Sequence, residues 1–379
     1  MQVPTVHPAV TAALSGISSA LERLARETTP PALLGALADE AHKLLGAKAT
    51  VVSRREGDRL REVAAAWAGG IASRSSFADY AYLLDDYPLT RTVLETGESM
   101  ALSLNDEGVE PTEAFVLREL GMDAVLMVPL ARDGAAWGLV EVYDVGARRF
   151  GPADVTIADF VVRQSAGLLA QLENTEAVQR LYRETLASLA NALEEKDSYT
   201  HDHTQEVVEL ALDVAGSLGL EPSEQDLVEL GALLHDIGKI RVPESILNKP
   251  GPLDADEWGI MRRHTLAGEA ILAPITSLRK VLPIVRSSHE RWDGSGYPDG
   301  LAGDAIPVGA RIVAVCDAFR AMTERRPYRA PMSERDALAE LRRNAGTQFD
   351  PACVRALLRV LDSRGRTEPL LLHRPAHAA

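Results

Sequence analysis

The chain has 379 residues and a mass of 40.9 kDa, and 46% of its residues are hydrophobic, so it is long enough to form two globular domains. Its net charge of -15 and pI near 5.1 argue against a general nucleic-acid-binding surface, because such surfaces neutralise phosphates with Lys and Arg. Cys316 and Cys353 are the only cysteines, which excludes a disulfide framework and a cysteine-only zinc site.

The sequence carries no membrane or secretion signal. The N-terminus, "MQVPTVHPAV", lacks a basic segment followed by an apolar run, and no stretch reaches the roughly 18 apolar residues of a membrane span. We therefore expect a soluble, cytoplasmic protein.

The N-terminal half predicts an α+β domain. Apolar residues at helical spacing over 8–46 predict a helix that leads into the first domain, with residues 1–29 as the N-terminal helix and Gly46 as the stop. The runs "ATVVSRREG" and "LREVAAAWAG", and two strands that turn at "RDGA", predict an antiparallel sheet. Pro152 and Asp154 mark the start of the next helix, so the domain covers residues 30–172 with helices flanking its sheet.

The stretch "VLMVPLARDGAAWGLVEVYDVGARRFGPADVTIADFVVRQSAGLL" resembles the C-terminal half of a GAF domain, a sensory module found ahead of many signalling enzymes. The resemblance implies an unknown small ligand. No Cys or His between residues 47 and 172 could ligate haem or attach a bilin. The alternative is a dimerisation module that binds no ligand.

Residues 173–198 predict a linker helix. Apolar residues repeat there at heptad spacing over barely two heptads, namely Tyr182, Leu186, Leu189 and Leu193. The spacing fits a parallel homodimer helix, and also a helix that packs on its own domain.

Residues 199–362 have helical patterns almost throughout, which predicts an all-α bundle. A mobile tail, 363–379, follows, and we expect its His373 and His377 to be inert.

Five of the nine histidines fall between residues 201 and 289. In "QDLVELGALLHDIGKIRVP" His235 and Asp236 are adjacent, so the carboxylate can reach a second ion while the imidazole holds the first.

Imidazole and carboxylate groups in five helical segments could converge inside such a bundle. They are His203, His235, Asp236, His264, His289 and Asp317. Nitrogen and oxygen ligands without thiolates suit iron, manganese, nickel or zinc. Each residue alone fits a structural or solvated position, but the complete set predicts a metal site.

The order H…HD…H…H…D is similar to the HD phosphohydrolase superfamily, and "HDIGK", "HERWDGSGYP", "IPVGARIVAVCDAF" and "RRPYR" resemble its HD-GYP branch. The resemblance implies hydrolysis of cyclic di-GMP to linear pGpG or onward to GMP. It also implies two divalent transition-metal ions, iron or manganese first, with nickel and zinc as alternatives.

The resemblance also implies roles for single residues. His203, His235, Asp236 and Asp317 would hold one metal, and Asp236, His264 and His289 the other. Lys239 would meet the scissile phosphate and act with Asp236 in catalysis. The residues that would contact the dinucleotide's phosphates and bases are Tyr297, Arg326 and Arg329. When bound, two such ions would lower the pKa of a water molecule and so supply a nucleophile for attack on phosphorus.

The sequence departs from the HD-GYP pattern at four places. Ser288 replaces the first histidine of the usual HHE, so we expect weaker or altered metal loading. Arg320 replaces an acidic residue, which is either a surface change or the loss of an ion pair. Tyr199 stands where a trinuclear variant has Glu, so we expect no third metal, and we expect His201 to be exposed.

Three functional hypotheses remain open. The first is a cyclic di-GMP phosphodiesterase regulated by the GAF-like domain through the linker helix. The second keeps the metal site but changes the substrate to another cyclic dinucleotide or nucleotide. The third is a signalling adaptor that Ser288 has made inactive and whose GYP loop binds partners such as GGDEF-domain cyclases.

Overall fold

The computed structural model describes residues 8–68, 81–132, 134–194, 203–324 and 331–365. Contacts divide the chain into two compact units, Met1–Gln179 and Arg180–Ala379. Within the described ranges, no helix combines the length and the hydrophobicity that crossing a membrane requires.

The first unit contains an antiparallel sheet and its flanking helices. Its helices are α1 (Pro8–Leu24), α2 (Pro30–Leu45), α3 (Pro88–Thr96), α4 (Pro111–Leu120) and the first part of α5 (Pro152–Glu194). Its strands are β1 (Ala49–Glu56), β2 (Arg59–Trp67), β3 (Ala81–Leu83), β4 (Met100–Ser103), β5 (Ala124–Arg132) and β6 (Ala135–Asp144). The strand order is β3-β2-β1-β6-β5-β4, and each neighbouring pair is antiparallel.

Local chemistry explains several of these boundaries. Thr29 caps α2 by accepting a hydrogen bond from the Ala32 amide, and Pro30 occupies the first helical turn. Gly46 ends α2 in the left-handed conformation at φ 58°, which confirms the predicted stop. Arg132, the last residue of β5, pairs with Ala135, the first residue of β6, which confirms the predicted turn at "RDGA".

Successive side chains of a strand lie on opposite faces of the sheet, and helices cover both faces. In β5, Leu126, Val128 and Leu130 pack in a core with α1, α2 and α5. The intervening Val125 and Met127 belong to a second core with α3 and α4. The alternation places a layer of helices on each side of the sheet.

The second unit is helical. Its described residues form the end of α5 and the helices α6 (His203–Ser217), α7 (Pro222–Leu234), α8 (Glu244–Leu247), α9 (Ala255–Arg262), α10 (His264–Leu272), α11 (Leu282–Arg286), α12 (Val308–Thr323), α13 (Glu334–Arg343) and α14 (Pro351–Ser363). Short 3-10 helices include Ile237–Arg241. The predicted fold class, an α+β domain and an all-α bundle joined by a long helix, is confirmed.

Helix α5 runs without a break through the predicted linker as far as Glu194. Leu186 is buried in the core of the second unit and Tyr182 packs against that core. Leu189 is 57% exposed, whereas Leu193 is buried. Most of the apolar heptad therefore packs on its own unit. The homodimer stays a prediction, as do the domain boundaries, and most of the predicted tail lies outside the described residues.

A carboxyl group is buried on the α3 and α4 face of the sheet. The hydroxyl of Tyr143 donates to Glu141 Oε1 at 2.8 Å, and the hydroxyl of Tyr82 donates to Oε2 at 3.4 Å. Burial raises the pKa of Glu141 to about 7, because the apolar surroundings disfavour the charged form. Burial also raises the pKa of Glu113 and of Glu62.

We predict that the first unit loses stability between pH 4.5 and pH 7. The pKa of Glu141 is higher in the folded chain than its ordinary value of 4.5, so its contribution is complete below pH 4.5 and is lost as pH rises through about 7. The loss amounts to roughly 3 kcal/mol. Thermal unfolding of the full chain at pH 5 and pH 8 measures it, and E141Q should reduce the difference. An equal pH dependence in E141Q would contradict the prediction.

Candidate metal centre

The sequence "HDIGK" marks a change from one helix type to another. Helix α7 ends at Leu234, His235 keeps a helical backbone at φ -55° and ψ -32°, and Asp236 lies at φ -98° and ψ 0°. That last conformation belongs to the sparsely populated bridge region, where many active-site residues are found. The 3-10 helix Ile237–Arg241 follows directly. At this change of helix type, the adjacent side chains of His235 and Asp236 both face the interior of the unit.

Backbone carbonyls fix the orientation of two imidazoles. Nδ1 of His235 donates to the Ala232 carbonyl at 2.7 Å, and Nδ1 of His264 donates to the Met261 carbonyl at 2.8 Å. Because a carbonyl can only accept, Nδ1 carries the proton in both rings and Nε2 keeps its lone pair. Such a bond on the far nitrogen is the usual arrangement around a metal-binding histidine.

The residues at the centre fit a divalent cation. Asp236, His264 and His289 each offer one ligand atom, and these atoms lie within 4.8 Å of one another. Among the described residues, His235 Nε2, His264 Nε2 and Asp236 Oδ1 are buried without a hydrogen-bond partner. Buried polar atoms are rarely left unpaired, because desolvation costs about 1–3 kcal/mol for each group. A cation would satisfy all three.

The other predicted ligands adjoin this cluster. His203 Nε2 lies 3.2 Å from Asp317 Oδ1, and His235 Nε2 lies 3.4 Å from Asp236 Oδ2. Lys239 Nζ lies 2.8 Å from the same Asp236 oxygen. The structure thus brings together all six residues predicted to bind metal and the predicted catalytic lysine.

Neighbouring charges control the protonation of the carboxylates. Burial raises the pKa of Asp236, but Lys239, His235, His264 and His289 together hold it well below its ordinary range. Burial opposes ionisation of Asp317 too, but the hydrogen bond from His203 and the field of His235 lower its pKa to about 2.

The histidines divide into two groups. Burial lowers the pKa of His264, and burial together with the neighbouring His264 lowers the pKa of His289 to about 4. Burial also disfavours charge on His203, but Asp317 and Glu324 raise its pKa above the ordinary value. His264 and His289 are therefore neutral near pH 7, the form in which histidine binds metal.

Gly238 permits a close approach of two elements. A Cβ atom at this position would lie 1.8 Å from the His264 carbonyl oxygen and 2.5 Å from the Gly268 amide nitrogen. Only a residue without a Cβ lets the 3-10 helix lie against α10. The glycine of "HDIGK" therefore sets the spacing between Asp236 and His264.

A buried carboxylate holds the loop of "HERWDGSGYPDG". Glu290 is 4% exposed and accepts hydrogen bonds from the amides of Asp299, Gly300 and Leu301 at 2.7, 3.0 and 3.1 Å. A Cβ at Gly296 would lie 2.6 Å from the Glu290 Cα, so the loop folds tightly over this residue.

The loop carries Tyr297 to the metal cluster. Its ring stacks on His289 with a centroid distance of 5.2 Å and an interplanar angle of 17°. The Arg262 guanidinium lies 5.4 Å from the centre of the Tyr297 ring. An aromatic face and a cation therefore border the cluster.

The structure places two of the departures from the HD-GYP pattern. Ser288 is 2% exposed, and its hydroxyl donates to the Val285 carbonyl at 3.0 Å. Arg320 on α12 forms an ion pair with Glu206 on α6. Arg326, Arg329, Tyr199 and His201 lie outside the described residues.

Sequence reasoning missed three residues around the site. Glu324 Oε2 lies 2.8 Å from His203 Nδ1, Glu290 anchors the loop, and Arg262 faces Tyr297. Glu290 follows His289 directly and could have been noticed from its place in the motif. The contact of Glu324 depends on the meeting of α6 and α12, which no local pattern indicates.

Comparisons with known proteins match this architecture. Residues 187–353 match the HD domain family, and residues 29–169 match the GAF domain family. The chain therefore carries a GAF domain followed by an HD domain, which confirms both predicted resemblances at the level of these families. The HD phosphohydrolase domain implies dependence on divalent metal.

Three curated relatives each resemble about half of this chain. The cyclic di-GMP phosphodiesterase response regulator RpfG of Xanthomonas campestris pv. campestris is 44% identical over 202 residues, which are 52% of this chain and 53% of the relative. The 3'3'-cGAMP-specific phosphodiesterase 2 of Vibrio cholerae is 40% identical over 46% of this chain and 34% of its own. A cyclic di-GMP phosphodiesterase of Thermotoga maritima is 41% identical over 47% and 49%. The chain spans about half or less of each relative.

We predict that G238A separates the 3-10 helix from α10. The added Cβ would meet the His264 backbone, so we expect a loss of roughly 2 kcal/mol or more in the free energy of unfolding. Metal affinity should fall as well, and Mn²⁺ titration calorimetry together with thermal unfolding measures both effects. G259A in α9 is the matched control, because a Cβ there meets nothing within 4 Å. Equal behaviour of the two variants would contradict the role of Gly238.

We predict that Glu324 orients His203. In E324A the Nδ1–H of His203 loses its acceptor, so Mn²⁺ affinity should fall about 10–100-fold, while E324Q keeps an acceptor and should lose less. E209A, at an exposed position of the same α6 helix, should leave the affinity unchanged. Titration calorimetry measures the Mn²⁺ affinity of each variant. An equal affinity in E324A and E209A would refute the role of Glu324 in orienting His203.

Proposed function

We propose that the chain is a metal-dependent phosphodiesterase that hydrolyses cyclic di-GMP to pGpG, GMP or both in bacterial second-messenger signalling. One observation carries the proposal: three buried ligand atoms, on His235, Asp236 and His264, converge without hydrogen-bond partners inside an HD domain. Relatives at 44% and 41% identity bear the name of cyclic di-GMP phosphodiesterases, which supports the substrate.

We propose two ligand sets, which the contacts in the site support in part. His203, His235, Asp236 and Asp317 would hold one ion, with Asp236 shared between the two. Asp236, His264 and His289, which form the compact cluster, would hold the other. Imidazole and carboxylate donors suit iron or manganese, with nickel or zinc as alternatives. When bound, two such ions supply an acidified water and positive charge against phosphoryl oxygens.

The chain's own residues would bind and orient the substrate. Lys239 holds its ammonium 2.8 Å from Asp236 Oδ2, next to the cluster, where it can pair with the scissile phosphate. Tyr297 and Arg262 present an aromatic face and a guanidinium to a nucleobase. Arg326 and Arg329 follow Glu324 within five positions of the chain and would reach the phosphates.

The names of three relatives favour a second candidate substrate. Three relatives, at 40%, 40% and 35% identity, bear the name of 3'3'-cGAMP-specific phosphodiesterases. Both dinucleotides present the same phosphodiester to Lys239, so the base-contacting residues would decide between them. The inactive adaptor with GGDEF-domain partners is the third hypothesis, and it depends on the missing imidazole at Ser288.

The GAF domain would regulate the HD domain through α5. Val178, Leu181 and Leu189 lie on one face of this helix and are 67%, 63% and 57% exposed. An exposed apolar face on a long helix supports a parallel homodimer. We propose a cytoplasmic protein, and we propose no membrane or general nucleic-acid partner.

We predict that the Mn²⁺- or Fe²⁺-loaded protein hydrolyses cyclic di-GMP and that chelation abolishes turnover. D236A should lower turnover more than about 100-fold, because loss of an outer-shell partner alone costs 10–100-fold. Product chromatography with both dinucleotides identifies substrate and product. No hydrolysis of either by the loaded wild type would overturn the proposal and favour the adaptor.

We predict that S288H raises metal affinity and turnover by adding the missing imidazole. The matched control is S288A, which removes only the hydroxyl that donates to Val285, so its turnover should stay within about twofold of wild type. Metal analysis, turnover and thermal unfolding of each variant separate metal binding from misfolding. A folded S288H with unchanged metal content would show that the substitution does not limit loading.

A further inference from the structure

The first unit contains a cavity of about 130 Å³ between the sheet and helices α3 and α4. Strands β1, β2, β3 and β6 form one wall, and the two helices form the other. One water needs about 10–15 Å³ on this measure, so the cavity is large enough for a small organic molecule.

Carboxyl groups and aromatic rings line the cavity. The carboxyl groups belong to Glu62, Glu113 and Glu141, which come from β2, α4 and β6. The aromatic residues are Trp67, Tyr82, Tyr87 and Tyr143. No lysine, arginine or histidine is among the residues that line the described walls.

None of the three carboxyl groups forms an ion pair with a described residue. Glu113 is 6% exposed, and its Oε1 accepts both the amide and the hydroxyl of Thr90, at 3.2 and 3.1 Å. Within the described part of the chain, its Oε2 accepts no hydrogen bond. The hydroxyl of Ser53, a residue that is 1% exposed, lines the same cavity and also makes no hydrogen bond there. Among the described residues, the second oxygen of Glu113 and the hydroxyl of Ser53 therefore line the cavity without a protein partner, and both can form a hydrogen bond with a ligand.

The arrangement favours an organic cation over a metal ion. Among the described residues, only Asp236, His264 and His289 form a group whose ligand atoms lie within 4.8 Å of one another. Glu62, Glu113 and Glu141 are too far apart to coordinate one metal ion together. Aromatic walls instead attract a diffuse positive charge through their faces and contact hydrocarbon.

The charge of the described walls also disfavours an anion. A phosphate or carboxylate ligand would meet three acidic side chains and no cationic side chain among the described lining residues, and like charges in a low-dielectric site repel. A cation has the opposite effect, because it would stabilise the ionised form of a carboxyl group such as Glu141, whose pKa burial raises to about 7.

We propose that this cavity binds a small organic cation, an alkylamine or guanidinium compound, with the charged group between Glu113 and Glu141 and the carbon chain against the aromatic wall. The ligand would be the input that the GAF domain senses. The inference concerns the first unit alone and stands whether or not the HD domain hydrolyses cyclic di-GMP.

A set of molecules of equal size tests the charge requirement. The 379-residue chain is titrated with n-butylamine, 1-butanol and butyrate, which share one carbon skeleton, and then with agmatine and choline. Calorimetry measures the affinity, and thermal unfolding measures the stabilisation. We expect n-butylamine or agmatine to bind and to raise the unfolding temperature, and 1-butanol and butyrate to bind at least about tenfold more weakly. Equal binding of the neutral or anionic compound, or no binding of any cation at millimolar concentration, would overturn the proposal.

Variants locate the site. E113Q and E141Q should each weaken binding by about tenfold or more, since each replaces a carboxylate with a neutral amide of the same shape. E119Q is the matched control, because Glu119 is exposed on the same α4 helix. Undiminished binding in both E113Q and E141Q would refute the site. Turnover of cyclic di-GMP in the same preparations is measured separately, so failure of one proposal does not decide the other.

Discussion

The second unit depends on the neutralisation of one carboxylate. Asp236 lies where burial disfavours a charge, and Lys239 with three imidazoles outweighs that cost. The balance requires that α7 end at Leu234, that the backbone bend at Asp236, and that the 3-10 helix lie directly against α10. Gly238 makes that contact possible. Backbone geometry and electrostatics are therefore parts of one arrangement.

The pKa values of buried carboxyl groups shift in opposite directions in the two units. In the HD domain, cationic and imidazole neighbours lower the pKa of Asp236 and Asp317. In the GAF domain, the described groups that contact Glu141 are tyrosine hydroxyls, and burial raises its pKa to about 7. A carboxylate that stays charged suits a permanent metal. A carboxyl group that changes its charge near neutral pH suits a site that responds to a ligand.

The sequence predicted the fold class well because its signals are local. Gly46, the "RDGA" turn and the alternation in β5 mark the elements of the first domain. The same holds for the six candidate ligands, since their residue types and order are visible in the chain. The heptad spacing in the linker did not predict which of its leucines are buried within the chain: Leu186 and Leu193 are buried, whereas Leu189 is exposed. Apolar spacing indicates a buried helix face but not which surface covers it.

The sequence by itself determined which groups could bind metal and phosphate, and it indicated the long helices and the strands β1, β2, β5 and β6, but not the elements between Ala81 and Leu120. Only the tertiary structure decided which atoms meet. Glu324 and His203 are 121 residues apart in the chain, and Glu113 and Thr90 are 23 apart. Contacts at such separations depend on the path of the backbone between them, which local propensity does not fix. For the same reason, the orphaned nitrogens of the metal centre and the acidic cavity of the GAF domain became visible only in three dimensions.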